Sequence, residues 1–338
     1  MKVSEIGQFG LIDRLAKLVN DARDDNAESW RNLVLGVGDD CAAWRCNSRI
    51  QLSHVDCQID GIHFRPEFGT WEELGWKALA VITSDIAAKG GSPRYVLVSL
   101  TLPEDTEVES VTSLYKGMLK LAKETGQAIV GGHISRGDTF SVTLTVHGDT
   151  GDAILLRSAA KPGDRIAVTG YLGGAAAYVE MFHEKLKFKS EIKSAFKQAF
   201  LHPMPRIAEG KLLVKSGIKA AMDISDGVMS DLRHILKASR VGARIDADKV
   251  PVLPEVKEAF GSQALDLALG GGGDYELLFT GDSAAIARIQ AKSRVPVTVI
   301  GEITSKPLGE INVTNKSGER VILTRSGWDH FTVKSRIH

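Results

Sequence analysis

Ala220-Ala221-Met222-Asp223-Ile224-Ser225-Asp226-Gly227-Val228-Met229-Ser230-Asp231 joins a small apolar run to a helical pattern through two acids and a glycine. Residues 217–222 are small and apolar, as a buried strand requires, and from Val228 the apolar residues Leu232, Ile235 and Leu236 recur at helical spacing. The junction therefore falls on Asp223 to Gly227. Ser225 or Asp226 reads as an N-cap, its side-chain oxygen accepting an orphan amide of the first turn. Capping does not account for Asp223, which the strand delivers at its carboxyl end. In open α/β sheets that edge is where ligands bind. A carboxylate there, beside a helix N-terminus that attracts phosphate, is explained by a divalent cation lying between the two anions.

Working outward, residues 268–273 form a glycine-rich run into Asp274-Tyr275-Glu276 and an apolar strand over 277–280, and a helix over 283–292 and a strand over 295–300 follow. In the other direction, 205–215 reads as a helix with proline in its first turn. The charge-rich segment 185–197 reads as a solvated helical face or loop. Strand 165–169 follows the turn Lys161-Pro162-Gly163-Asp164, which marks a domain boundary.

More acids stand nearer the start of the chain. Strand 33–37 ends in Gly38-Asp39-Asp40, which by itself reads as a turn. Strand 50–55 delivers Asp56, and Gly61-Ile62-His63-Phe64 follows. The strongest helix signal spans 70–89: Thr70 and Glu73 make a capping box and Gly90 supplies the stop. Leu74, Ala78 and Val81 share one face of it, and Asp85 falls in the same stripe. An unpaired desolvated charge costs several kcal/mol, so Asp85 requires a partner. Lys77 and Lys89 are poorly placed towards the centre of that face, which favours a metal. Strand 127–130 runs into Gly131-Gly132-His133, where paired glycines after a strand permit backbone approach to phosphate.

The 338 residues exceed the usual size of one core and predict two domains, 1–150 and 151–338. Forty-two basic residues balance 42 acidic ones without a long run of either sign, which argues against nucleic acid as the main partner and points to small molecules. Cys41, Cys46 and Cys57 are odd in number and lack Cys-x-x-Cys spacing, so neither a disulfide framework nor a zinc site is expected, and the compartment reads as reducing cytoplasm. No segment has the ~20 apolar residues a membrane helix needs.

Gly38-Asp39-Asp40, Asp56 with His63-Phe64, Lys77-Ala78-Leu79-Ala80 to Ser84-Asp85, Asp223-Ile224-Ser225-Asp226-Gly227, Asp274-Tyr275-Glu276-Leu277 and Trp328-Asp329-His330-Phe331 occur in order. The set resembles the thiamine-monophosphate kinase family, within the aminoimidazole-ribonucleotide synthetase-like ATP enzymes, over nearly the whole chain. The resemblance implies an α/β (α+β) fold of two domains: an N-terminal sheet domain for ATP, metal and dimerisation, and a C-terminal α/β domain. It implies a homodimer that passes the γ-phosphoryl group of ATP to thiamine monophosphate. Carried onto matching positions, Asp40, Asp56, Asp85 and Asp223, with Asp226, are implied magnesium ligands. Gly131, Gly132, His133, Arg157 and Ser225 are placed at ATP, and His63, Gly273 and Trp328 at the thiamine phosphate.

The chain departs from the family pattern at three places. It has His54-Val55-Asp56 for Ser-Thr-Asp, Gly131-Gly132-His133-Ile134 for Gly-Gly-Asp-Thr, and Gly271-Gly272-Gly273-Asp274 for Gly-Gly-Glu-Asp. Imidazole is a poor magnesium ligand. Asp138 is one substitute for the missing carboxylate. Another is a transition metal shared by His54 and His133 from neighbouring strand ends, and the plainer alternative is two ordinary hydrogen-bonded histidines. A non-catalytic or substrate-shifted relative that binds nucleotide or thiamine phosphate is the rival to a kinase.

Overall fold

In the computed structural model, which describes residues 1–35, 43–46, 50–151, 153–305, 308–325 and 327–328, the capping box forms as expected. Glu73 N–H donates to Thr70 Oγ1 at 3.2 Å and Thr70 N–H donates back to Glu73 Oε2 at 2.8 Å. The helix they open, α3, spans Trp71–Ala88, and Gly90 at φ +74° follows its end. The described chain divides into two units, one made of 1–86 and 91–152 and the other of 87–90 and the residues from 153 onward.

The first unit contains α1 (Val3–Asp21), α2 (Glu28–Asn32), β1 (Leu33–Leu35), β2 (Ala43–Trp44), β3 (Ile50–Ile59), α3, β4 (Ser92–Leu102), α4 (Val108–Thr125), β5 (Ala128–Arg136) and β6 (Ser141–Thr150). Its main sheet runs β3-β6-β4-β5, antiparallel except for the β4–β5 pair. Helices α3 and α4 cross through two glycines. A Cβ on Gly75 would lie 1.9 Å from Leu114 O and one on Gly117 would lie 1.8 Å from Glu72 O, so only hydrogen fits at either position. That approach buries Leu114, Met118 and Leu121 on one side of α4.

Two strand readings change. β3 continues to Ile59, so Asp56 sits inside the strand and not at its end. Gly131, Gly132 and His133 are part of β5, not a loop after it, because they pair with Leu97, Val98 and Ser99 of β4. The glycine at 132 is needed for packing: a Cβ there would meet Val98 O at 1.8 Å.

The second unit contains β7 (Arg165–Thr169), α5 (Gly174–His183), α6 (Ser190–Leu201), α7 (Ile207–Lys215), β8 (Ala220–Asp223), α8 (Val228–Ser239), β9 (Gly242–Asp246), α9 (Pro254–Phe260), α10 (Ala264–Gly270), β10 (Leu277–Gly281), α11 (Ser283–Gln290), β11 (Val297–Thr304) and β12 (Ile311–Thr314). Its sheet order is β12-β9-β11-β7-β10-β8, with β12–β9 parallel and the other pairs antiparallel. The sheet is therefore mixed, and β8 is an edge strand whose inner face still meets the core of Ala221, Leu277, Phe279 and Ile286. Among the described residues no helix is long and apolar enough to cross a membrane.

Candidate functional site

Asp223 ends β8 at 3 % exposure, and the turn after it is held by a second loop. Ile224 N–H donates to Glu276 O at 2.8 Å, Tyr275 N–H to Ile224 O at 2.9 Å and Gly273 N–H to Ser225 O at 2.8 Å, so the β8–β10 pairing continues beyond both strands. Following that path puts Tyr275 at φ +52° and Gly273 at +88°. Gly227, at φ +105°, is the N-cap of α8, and a Cβ on it would lie 2.8 Å from Gly271 O. No side chain caps α8, so the capping expected of Ser225 or Asp226 is not realised. The glycine lets the turn run one residue further before the helix begins. Trp328 N–H donates to Asp226 O at 3.1 Å. Ser225, Asp226, Gly273 and Trp328 thus meet at one pair of loops.

The second loop is anchored from below. Arg206 donates from Nε to Glu276 Oε2 at 2.7 Å and from Nη2 to Oε1 at 2.5 Å, and Thr169 Oγ1 donates to Oε2 at 2.5 Å while accepting from Leu277 N–H at 2.8 Å. Asp274 accepts from Gly173 N–H at 2.8 Å and Ala175 N–H at 3.4 Å where α5 begins. Desolvation pushes its carboxyl up to about 7 against the pull of those amides, and the Glu276 charge adds to the rise. Arg157 is placed beside α8. Burial and then the Arg157 guanidinium hold His234 below its ordinary range, with Asp226 opposing them.

In the first unit, Leu52 and Gln58 of β3 are buried while Val55 is 58 % exposed. His54 and Asp56 therefore share the inner face with Leu52 and Gln58. Asp85 reaches them from α3, its Oδ2 lying 3.2 Å from His54 Nε2. The partner that the apolar stripe demanded includes an imidazole. Asp56 Oδ1 accepts from Cys57 N–H at 2.7 Å and Oδ2 from Gln58 Nε2 at 3.3 Å. Burial raises its pKa, and the Asp85 charge acts in the same direction while the Cys57 amide and His54 oppose. His63 is tied into the turn after β3, where its Nδ1 accepts from Ile59 N–H at 3.0 Å.

Cross-strand register separates the histidines. Gly132 pairs with Val98, Val98 with Leu144 and Leu144 with Asp56, three strand steps or about 14 Å. His133 belongs to the adjacent row, with Ser99, Thr143 and Cys57, and so stands on the opposite face from His54 and Asp56. β3 and β5 are the two edges of the sheet, not neighbours. A metal shared by His54 and His133 is thereby overturned. Asp138 is exposed, two residues past the end of β5. Asp40 lies outside the described residues.

Residues 38–150 match the family of the AIR synthase related protein, N-terminal domain, and 161–314 that of its C-terminal domain. The thiamine-monophosphate kinase of Escherichia coli (strain K12) is 37% identical over 334 residues, 96% of this chain and 98% of that protein. The chain belongs to the thiamine-monophosphate kinase family. The solved thiamine-monophosphate kinase of Stenotrophomonas maltophilia K279a superposes with a TM-score of 0.79 at 32% identity, covering 92% of this chain and 96% of that one. AaThiL complexed with AMPPCP and TMP superposes with a TM-score of 0.75 at 31% identity, covering 98% and 99%.

The magnesium implied for this family fits the donors present in kind: Asp56, Asp85, Asp223 and Asp226 offer the hard oxygens that ion prefers. Sequence reasoning passes over one more carboxylate, Asp231, because an acid in the first turns of a helix reads as a complement to its dipole. Asp231 is 1 % exposed, and Oδ1 is buried without a hydrogen-bond partner among the described residues. Burial, with the Asp226 and Asp223 charges, raises its pKa well above the ordinary range. Among the described residues no three His, Cys, Asp or Glu side chains lie close enough to hold one ion together.

Proposed function

We propose that the chain transfers the γ-phosphoryl group of ATP to the phosphate of thiamine monophosphate, releasing ADP and thiamine diphosphate. The observation that carries this is the 37% identity to a thiamine-monophosphate kinase over 98% of its length. In the reaction an oxygen of the acceptor phosphate attacks the γ-phosphorus in line, and the bond to the β–γ bridging oxygen breaks. The protein's task is positioning and charge neutralisation, with no covalent nucleophile.

In the second unit, Ser225 and the amides opening α8 are suited to phosphate oxygens, because a helix N-terminus presents unpaired donors. Arg157 beside α8 adds positive charge, and Gly273 and Trp328, held at the same loops, would meet the thiamine phosphate. In the first unit, β5 is an edge strand, so Gly131, Gly132 and His133 offer backbone groups to the nucleotide, while His63 is assigned to the thiamine phosphate. Asp40, Asp56 and Asp85 in one unit, and Asp223 and Asp226 in the other, would hold magnesium. When bound, magnesium screens the phosphate charge and orients the phosphates for in-line transfer. The same assignment carries a cytoplasmic homodimer joined through residues 1–150.

The test is incubation of purified protein with ATP, magnesium and thiamine monophosphate. Thiamine diphosphate should accumulate, and no product above a protein-free control would overturn the assignment. One observation favours the rival: Asp85, an acid meant for metal, meets the His54 imidazole. A non-catalytic or substrate-shifted relative would bind nucleotide or thiamine monophosphate in calorimetry without forming thiamine diphosphate.

A further inference from the structure

Asp231 has no part in the assignment above, yet it is the most deeply enclosed acid of the strand–helix junction. Its Oδ2 accepts from Asp226 N–H at 3.1 Å, and its own N–H donates to Gly227 O at 2.9 Å. The amides of Asp226 and Gly227 both face its carboxyl group, and the largest charges acting on it are two more carboxylates, Asp226 and Asp223. Oδ1 is enclosed with no hydrogen-bond donor among the described residues. An enclosed acceptor left in that state is destabilising, and nearby charge of the same sign adds to the cost. A cation at the junction offsets both costs.

We propose that Asp231 is a positioning acid of a divalent-cation site at this junction. Its Oδ2 holds the Asp226–Gly227 backbone in place, and its Oδ1 faces the ion through the water that magnesium retains. Contact through water follows from two facts. Magnesium gives up its hydration shell reluctantly, and no three acidic or imidazole side chains among the described residues converge closely enough to ligate one ion directly. The proposal rests on the kinase assignment only in expecting magnesium at the junction.

The experiment titrates magnesium alone into the full-length protein by calorimetry, without nucleotide, and measures Tm in EDTA and in magnesium. Asp231→Asn keeps the shape and still accepts from Asp226 N–H, and Asp231→Ser is the smaller neutral variant. The expected result for either variant is magnesium binding weakened at least fivefold, a smaller rise of Tm on adding magnesium, and a Tm in EDTA equal to or above that of the unchanged protein. A purely structural role gives the reverse, a lower Tm in EDTA with magnesium affinity within twofold, and overturns the proposal. So does failure of both variants to fold, or absence of magnesium binding by the unchanged protein. Absence of thiamine diphosphate formation would remove the kinase assignment while leaving this titration readable, so the two failures are distinguishable.

Discussion

The acids at the β8–α8 junction and the acids on β3 and α3 are satisfied in different ways. At the junction, Ile224 and Ser225 are braced by backbone bonds to residues 273–276, and that loop is clamped by Arg206 and Thr169. On β3, where the sequence resemblance leads one to expect Ser and Thr at positions 54 and 55, Asp85 has the His54 imidazole 3.2 Å away. Backbone bracing leaves a carboxylate its charge and fixes its position. A histidine partner instead competes for the oxygens that a hard cation would use.

The largest expected effect lies under the braced junction. Glu276 is 5 % exposed and binds Arg206 in bidentate fashion, so Glu276→Ala strips a largely buried guanidinium of both charge-assisted bonds and of its principal counter-charge. Urea unfolding should record a loss of about 3–5 kcal/mol. A loss below about 1 kcal/mol would mean the clamp does not hold the loop, and the contrast between the two regions would fail.

A smaller effect is tied to pH. The Asp274 carboxyl titrates at about 7 in the folded chain, against an ordinary value near 3.8. The folded state therefore binds the extra proton between those values, and the stabilisation is complete below about pH 4 and is lost as pH rises through 7. Comparing urea unfolding of the unchanged protein and Asp274→Asn from pH 5 to 8 should show the unchanged protein losing about 2–3 kcal/mol relative to the variant. A difference that is flat across this range would show that the two helix-start amides outweigh desolvation.

The smallest effect sharpens the comparison at β3. His54→Ser removes the imidazole beside Asp85 and puts a hydroxyl, the group the resemblance leads one to expect, in its place. The magnesium concentration needed for half-maximal activity should fall about two- to fivefold. A rise instead would make His54 part of a rebuilt site and not a competitor.

Much of the frame was legible in the chain. The capping box at Thr70 and Glu73, the glycine stop after α3, and the strand-to-helix change at 223–227 all follow from local chemistry, which acts over three or four residues. The misreadings share a cause. Gly131-Gly132 looked like a phosphate loop because glycine permits two things, an open turn or a close approach, and only the neighbouring strand shows which one applies. Asp56 looked like a strand end because a polar residue on an inner face breaks the alternation, although Gln58 beside it is buried as well.

Composition and local pattern determined that this is a two-part α/β chain with an acid carried to the strand-to-helix junction at 223–227, since periodicity, capping and glycine placement depend on near neighbours. The tertiary structure alone decided what each acid meets. Glu276 found Arg206 across 70 residues, Asp231 closed back on Asp226, and Asp85 met His54 from another element. Desolvation and charge pairing depend on distances in space, and those are set only once the sheets and helices have packed.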